Sequence, residues 1–81
     1  MTAKWPNQRA MRKIDKVISQ RLRIYRVCAG ITQEKLAREL GIKFQQVQKY
    51  ESGTNRITAG RLWDAAQALG VEVKELFPVQ P

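Results

Sequence analysis

Residues 30–53 read Gly30-Ile-Thr-Gln-Glu-Lys-Leu-Ala37, Arg38-Glu-Leu-Gly41, Ile42-Lys-Phe-Gln-Gln-Val-Gln-Lys-Tyr-Glu51, Ser52-Gly53. Two short helical patterns meet here across Gly41. Thr32 is an N-cap residue, Glu34 lies near the positive end of the helix that follows, and Leu36, Ala37 and Leu40 form its apolar side. Gly41 ends that helix after two turns, and a second helix runs from about Phe44 to Ser52, with Val47 and Tyr50 inward and Gly53 as terminator. Helices joined by so short a turn cross steeply, and their contact point needs a small side chain, which Ala37 supplies. Four residues on, Gly41 can adopt the positive φ that turns the chain, and Ile42 plugs the corner. Val47, six residues after Gly41, then packs back under the first helix of the pair. A small residue, Gly at +4 and a β-branched residue at +10 together make the helix-turn-helix pattern of Ala37, Gly41 and Val47.

Outward from this pair the punctuation stays helical. Upstream, Asp15 is expected to cap a helix with Ile18, Leu22, Tyr25 and Ala29 on its apolar side and Gly30 as its stop. Cys28, three residues after Tyr25, reads as a small buried hydrophobe. Downstream, 53–57 reads as a loop, Thr58 caps a helix with Leu62, Ala65, Ala66 and Leu69 inward, and Gly70 closes it. Val73, Leu76 and Phe77 suit a last short helix halted by Pro78. The expectation is an all-α, compact five-helix domain over 15–78, with a basic arm at 1–14 and a tail at 79–81. Helices this short are stable only by packing on one another.

Composition bounds the chemistry. The 81 residues suit one small domain with a modest core. Histidine is absent and Cys28 is the single cysteine. The commonest general base is therefore missing, and so are an internal disulfide and a multi-cysteine zinc site. No metal site, no cofactor and no enzymatic activity are expected. The longest apolar run is three residues, so neither a membrane span nor a signal peptide is expected, and the default location is the cytoplasm. Fifteen Lys and Arg face seven Asp and Glu, a net charge of +8. Residues 1–26 hold eight of those basic groups against Asp15 alone, whereas 27–81 hold seven against six acidic groups. Such a front end is either a solvated arm or an attraction for phosphate, and the second basic cluster at 40–61 favours phosphate.

The solvent side of the Phe44–Ser52 helix adds specificity to that attraction. At roughly 100° per residue, Gln45 points most nearly away from Val47 and Tyr50. Gln48 and Lys49 flank it, and Phe44 and Gln46 sit on the shoulders. Three glutamines and a lysine with no carboxylate before Glu51 make an unusual solvated face. Gln can bond adenine with two hydrogen bonds, Lys can reach guanine, and an exposed Phe can touch a thymine methyl. Phe44 has the alternative of folding back as the rim of the core.

From Val17 to Phe77 the chain resembles the lambda-repressor/Cro-type (XRE) family of bacterial helix-turn-helix regulators, through Gly30–Ala37, Leu40-Gly41-Ile42, Val47, Glu51–Gly53, Leu62 and Ala66. It departs from the pattern at Lys43, where the family usually has a Ser or Thr cap, and at Ile57, where Pro is frequent. Phe44 stands where the best-studied members have a polar base-reading side chain. The resemblance implies that Gln33 bonds a phosphate and braces the first residue of the recognition helix. It implies that Ser52, Asn55 and Arg56 hold the DNA backbone, and that Arg26 pairs with Glu51; Lys43, one of the basic groups of the 40–61 cluster, is expected to contact phosphate too. The function so implied is sequence-specific DNA binding by a homodimeric transcriptional regulator on a palindrome. An antitoxin that autorepresses through the same fold is the alternative, and a module binding membrane or unspecific polyanion is a third reading. No ligand domain follows residue 81, so no small-molecule effector is expected. Val73, Leu76, Phe77 and Val79, with Trp63 as partial core or contact, are the expected dimer surface, the terminal segment otherwise capping the core.

Overall fold

The structure, a computed structural model, describes residues 11–79. These form four α-helices, α1 (Lys13–Cys28), α2 (Gln33–Leu40), α3 (Phe44–Ser52) and α4 (Ala59–Leu69), followed by a single 3-10 turn at Val73–Leu76. The expected fifth helix is thus one tight turn. The chain from Val71 to Pro78 has room for little more, because Pro78 disfavours helical backbone at the residue before it.

The caps explain where each helix begins and ends. Thr32 Oγ1 accepts from the Lys35 amide at 3.0 Å, and Thr58 Oγ1 accepts from the Arg61 amide at 3.2 Å, as expected of N-caps. Helix α1 starts three residues before the expected point. Arg12 is its N-cap, and Asp15, at the third helical position, reaches back to accept from the Arg12 amide at 3.0 Å. Asp15 therefore stabilises the first turn from inside it, and residues 13 and 14 of the expected arm are helical. The arm's first ten residues lie outside the described residues. At the central turn Gly41 has φ 69°, and the Ile42 amide donates to the Ala37 carbonyl at 3.0 Å. That geometry closes the helix with a left-handed residue, which lacks a steric penalty only for glycine.

The core has two connected halves. Leu22, Leu36, Ala37, Leu40, Val47, Tyr50, Ala65 and Leu69 bury together where α1 to α4 converge. Ile18, Leu62 and Ala66 bury with Leu76 at the other end, and Tyr25, Ile57 and Val71 touch both halves. Ala37 is almost fully buried, as the steep α2–α3 crossing requires. Leu76 is completely buried, so its expected place in a dimer surface is corrected: it caps the core of its own chain. Two further expectations for α1 also differ. Ala29, the C-cap, is exposed, and so is Cys28, which is therefore not a buried hydrophobe. Both lie at the C-terminal end of α1, where the side chain that packs inward is Arg26, paired with Glu51.

Distant arginines fasten the helices. Arg61 on α4 donates to the Leu40 carbonyl at 2.7 Å, satisfying an orphan acceptor at the end of α2. Arg21 on α1 donates to the Glu75 carbonyl at 3.0 Å and so holds the terminal turn. No buried polar side-chain atom among the described residues lacks a partner.

Candidate nucleic-acid interface

Helix α3 is held from behind and open in front. Val47 is completely buried and Tyr50 nearly so, which fixes the rotation of the helix about its axis. Gln45, Gln48 and Lys49 are exposed, whereas Phe44 and Gln46 are half-buried, with Phe44 packed against the larger core cluster. Phe44 thus takes the rim position, the alternative its shoulder angle allowed. The polar, outward surface narrows to Gln45, Gln48 and Lys49, with Gln46 at the edge.

The end of α3 is locked to α1 by a buried ion pair. Arg26 Nε lies 2.7 Å from Glu51 Oε2, and its Nη2 donates to Oε1 at 3.0 Å. The Glu51 side chain is 3% exposed and that of Arg26 11%. A third donor, Arg26 Nη1, reaches the Ile31 carbonyl at 2.8 Å, so one guanidinium joins α1, the α1–α2 loop and α3. The expected pairing of Arg26 with Glu51 is present. It has an electrostatic consequence for the face, because the one carboxylate of α3 is neutralised and turned inward.

Gln33 joins this network in a way its expected role does not include. Its Nε2 donates to Glu51 Oε1 at 3.0 Å, so the brace goes to the end of α3 and not to its first residue. The reason is chemical: Phe44, at that first position, has no polar side-chain atom to accept a hydrogen bond. Glu51 accepts from both Arg26 and Gln33, which leaves little freedom for α2 and α3 to shift relative to each other.

The remaining expected backbone-binding residues flank α3 at both ends. Lys43, exposed, is the N-cap of α3 but makes no side-chain cap, since it carries no acceptor. Ser52 Oγ donates to the Lys49 carbonyl at 3.3 Å and shares a hydrogen bond of 2.8 Å with Thr54 Oγ1, giving the α3–α4 loop internal order. The Thr54 and Asn55 amides both donate to the Lys49 carbonyl, at 3.0 and 3.2 Å. Asn55 and Arg56 are exposed and line an open depression with Met11, Asp15 and Thr58. Gly53, at φ 80°, lies under Met11, whose Cε would be 3.9 Å from a Cβ placed there. The start of α1 therefore rests on the loop that carries Asn55 and Arg56. Arg61 and Arg21 are the residues misread by charge alone: both counted toward the basic surface, and both are tied to carbonyls 21 and 54 positions away in sequence. No local signal gives such a partner.

Among the described residues no group of three or more His, Cys, Asp and Glu could hold a metal ion, and no helix is long and apolar enough to cross a membrane.

A helix-turn-helix family model (HTH_3) matches residues 22–76, most of the chain, and the protein belongs to that family. An uncharacterized HTH-type transcriptional regulator of Sinorhizobium medicae strain WSM419 is 45% identical over 75 residues, covering 93% of this chain and 54% of the relative. The chain thus spans about half the length of that curated relative. Among solved structures, the restriction-modification controller protein C.AhdI from Aeromonas hydrophila superposes with a TM-score of 0.73 at 34% identity, over 76% of this chain and 94% of that one. SinR, the master regulator for biofilm formation, solved in complex with DNA, gives 0.68 at 25% identity over 73% of this chain and 95% of its own.

Proposed function

We propose that the protein is a sequence-specific DNA-binding transcriptional regulator that inserts α3 into the major groove. The observation that carries this reading is the outward surface of α3. Gln45, Gln48 and Lys49 are exposed together, and the helix's sole carboxylate is buried against Arg26. A face able to bond base edges, cleared of negative charge and fixed in rotation by its buried side, is what direct readout needs. Gln46 reaches bases from the edge, and Phe44 offers only the exposed part of its ring to a thymine methyl. Gln33, Lys43, Ser52, Asn55 and Arg56 bracket α3 and contact phosphates on either side of the groove. The DNA-bound SinR and the regulator names of the relatives support the same reading.

One recognition helix reads a few base pairs, so the protein acts as a homodimer on a palindrome with half-sites about 34 Å apart. Leu76 being buried, the dimer surface moves to Trp63, 58% exposed on α4, with half-buried Val73 and Phe77 beside the terminal turn. This is also the least basic part of the chain, with Asp64, Glu72 and Glu75 against Lys74, where two copies repel least. The direct test is competition. A scrambled duplex should displace a selected site only at concentrations about 10³-fold higher or more. Equal competition by both duplexes would reduce the activity to unspecific polyanion binding.

A further inference from the structure

Helix α1 has a second apolar pattern that the core does not use. Its buried side runs through Ile18, Leu22 and Tyr25. On the opposite side, positions 13, 17, 20, 24 and 27 follow one another at intervals of four, three, four and three, the spacing of a helix–helix seam. Toward the C-terminal half this seam is apolar: Ile24 is 55% exposed and Val27 57%. With Gln20 and Arg23 they form an open groove that ends at Glu51, the last turn of α3. Ile24 and Val27 belong to neither half of the core, and adjacent exposed aliphatic side chains on one helix face offer apolar surface to a partner.

The charges beside the seam decide what can lie on it. Lys13 begins it and Lys16 and Arg23 border it, all exposed. The nearby carboxylates are engaged elsewhere, Asp15 with the Arg12 amide and Glu51 with Arg26. A second copy of α1 would bring these like charges together, which disfavours self-pairing. We propose that this face is a docking site for an amphipathic helix of a partner protein, with aliphatic residues on its seam and Glu or Asp at the flanking positions. The seam spans fourteen residue steps, about 21 Å at 1.5 Å per residue, so roughly four turns of the partner are needed to cover it. The site is separate from the DNA-reading face of α3 and does not depend on it.

The test uses the whole chain and three synthetic probes. The first is a three-heptad peptide with Leu on its seam and Glu on its flanks. The second has the same composition in scrambled order, and the third has Lys in place of Glu. Anisotropy titration should show the periodic acidic peptide binding at least about tenfold tighter than the scrambled one, and the basic peptide not binding. Amide shifts of labelled protein should concentrate on Gln20, Arg23, Ile24 and Val27. The double variant Ile24→Ser, Val27→Ser should lose the tenfold preference while keeping the wild-type circular dichroism and melting curve. Should that variant misfold, the peptide comparison and the shift map on the wild type still decide. Equal binding of the two acidic peptides, shifts centred on α3 and the 53–58 loop, tighter binding to phosphatidylserine vesicles than to the peptide, or seam-dependent self-association in sedimentation would each overturn the proposal.

Discussion

Glu51 shows how much one side chain organises in so small a protein. It accepts from Arg26 twice and from Gln33 once, and is all but excluded from solvent. Removing it leaves a guanidinium and an amide without their partner at the junction of α1, α2 and α3. Breaking a buried pair on one side costs about 3–5 kcal/mol, a large share of the stability of any small domain. Chemical denaturation of Glu51→Ala should therefore show the midpoint falling by that equivalent; a loss under about 1 kcal/mol would mean that solvent reaches the pair. The pairing of Arg26 with Glu51 was readable from the family resemblance, because both residue types are present. The third partner was not. Gln33 turned to Glu51 because Phe44 replaces a polar side chain, and that follows only when the two positions are considered together in space.

The helices themselves were legible to different degrees. Thr32, Gly41, Gly53, Thr58 and Gly70 marked α2, α3 and α4 because a hydroxyl cap and a left-handed glycine act within one turn of sequence. Gly30, at φ 73°, closes α1 as expected, but at the start of α1 and at the end of the chain the same local logic failed. Asp15 is a good cap by type but acts from the third helical position, and Cys28 is exposed because Arg26, paired with Glu51, is the side chain that packs inward at that turn. Leu76 could face a partner or its own core by periodicity alone, and the gap left between Ile18, Leu62 and Ala66 decides for the core. The central turn allows a clean separation of steric from backbone effects. A Cβ on Gly41 would meet no atom within 4 Å, so its substitution is costly only through φ. Gly41→Val should destabilise by about 1–3 kcal/mol, while Gly41→Asn, which tolerates the left-handed region, should lose much less. Equal losses for the two in thermal melts would point to packing at the turn instead.

At the scale of the whole molecule, charge and symmetry are the testable quantities. Trp63→Ser removes an exposed ring from α4 without opening the core. Sedimentation should show the variant as a monomer at concentrations where the wild type is a dimer, with an unchanged melting curve and weaker DNA binding. A wild-type monomer at tens of micromolar would contradict this placement of the interface. Deleting residues 1–10 removes Lys4 and Arg9 from the segment that leads onto Met11, beside the loop bearing Asn55 and Arg56. Affinity for all DNA sequences should fall alike, and the slope of log affinity against log salt should flatten by about 0.9 for each phosphate no longer neutralised. Identical slopes would make those charges bystanders.

Base reading by α3 is the property on which sequence-specific binding depends. Selection of bound sequences from a random duplex pool, run in parallel on the wild type and on Gln45→Ala, measures this most directly. The wild type should enrich a palindrome whose half-site centres lie about 10–10.5 base pairs apart. Gln45→Ala should enrich the same palindrome with preference relaxed at one symmetric position, by about 1–3 kcal/mol. An unenriched pool, or a variant motif identical to that of the wild type, would contradict the assignment of α3 as the recognition helix with Gln45 at its reading centre.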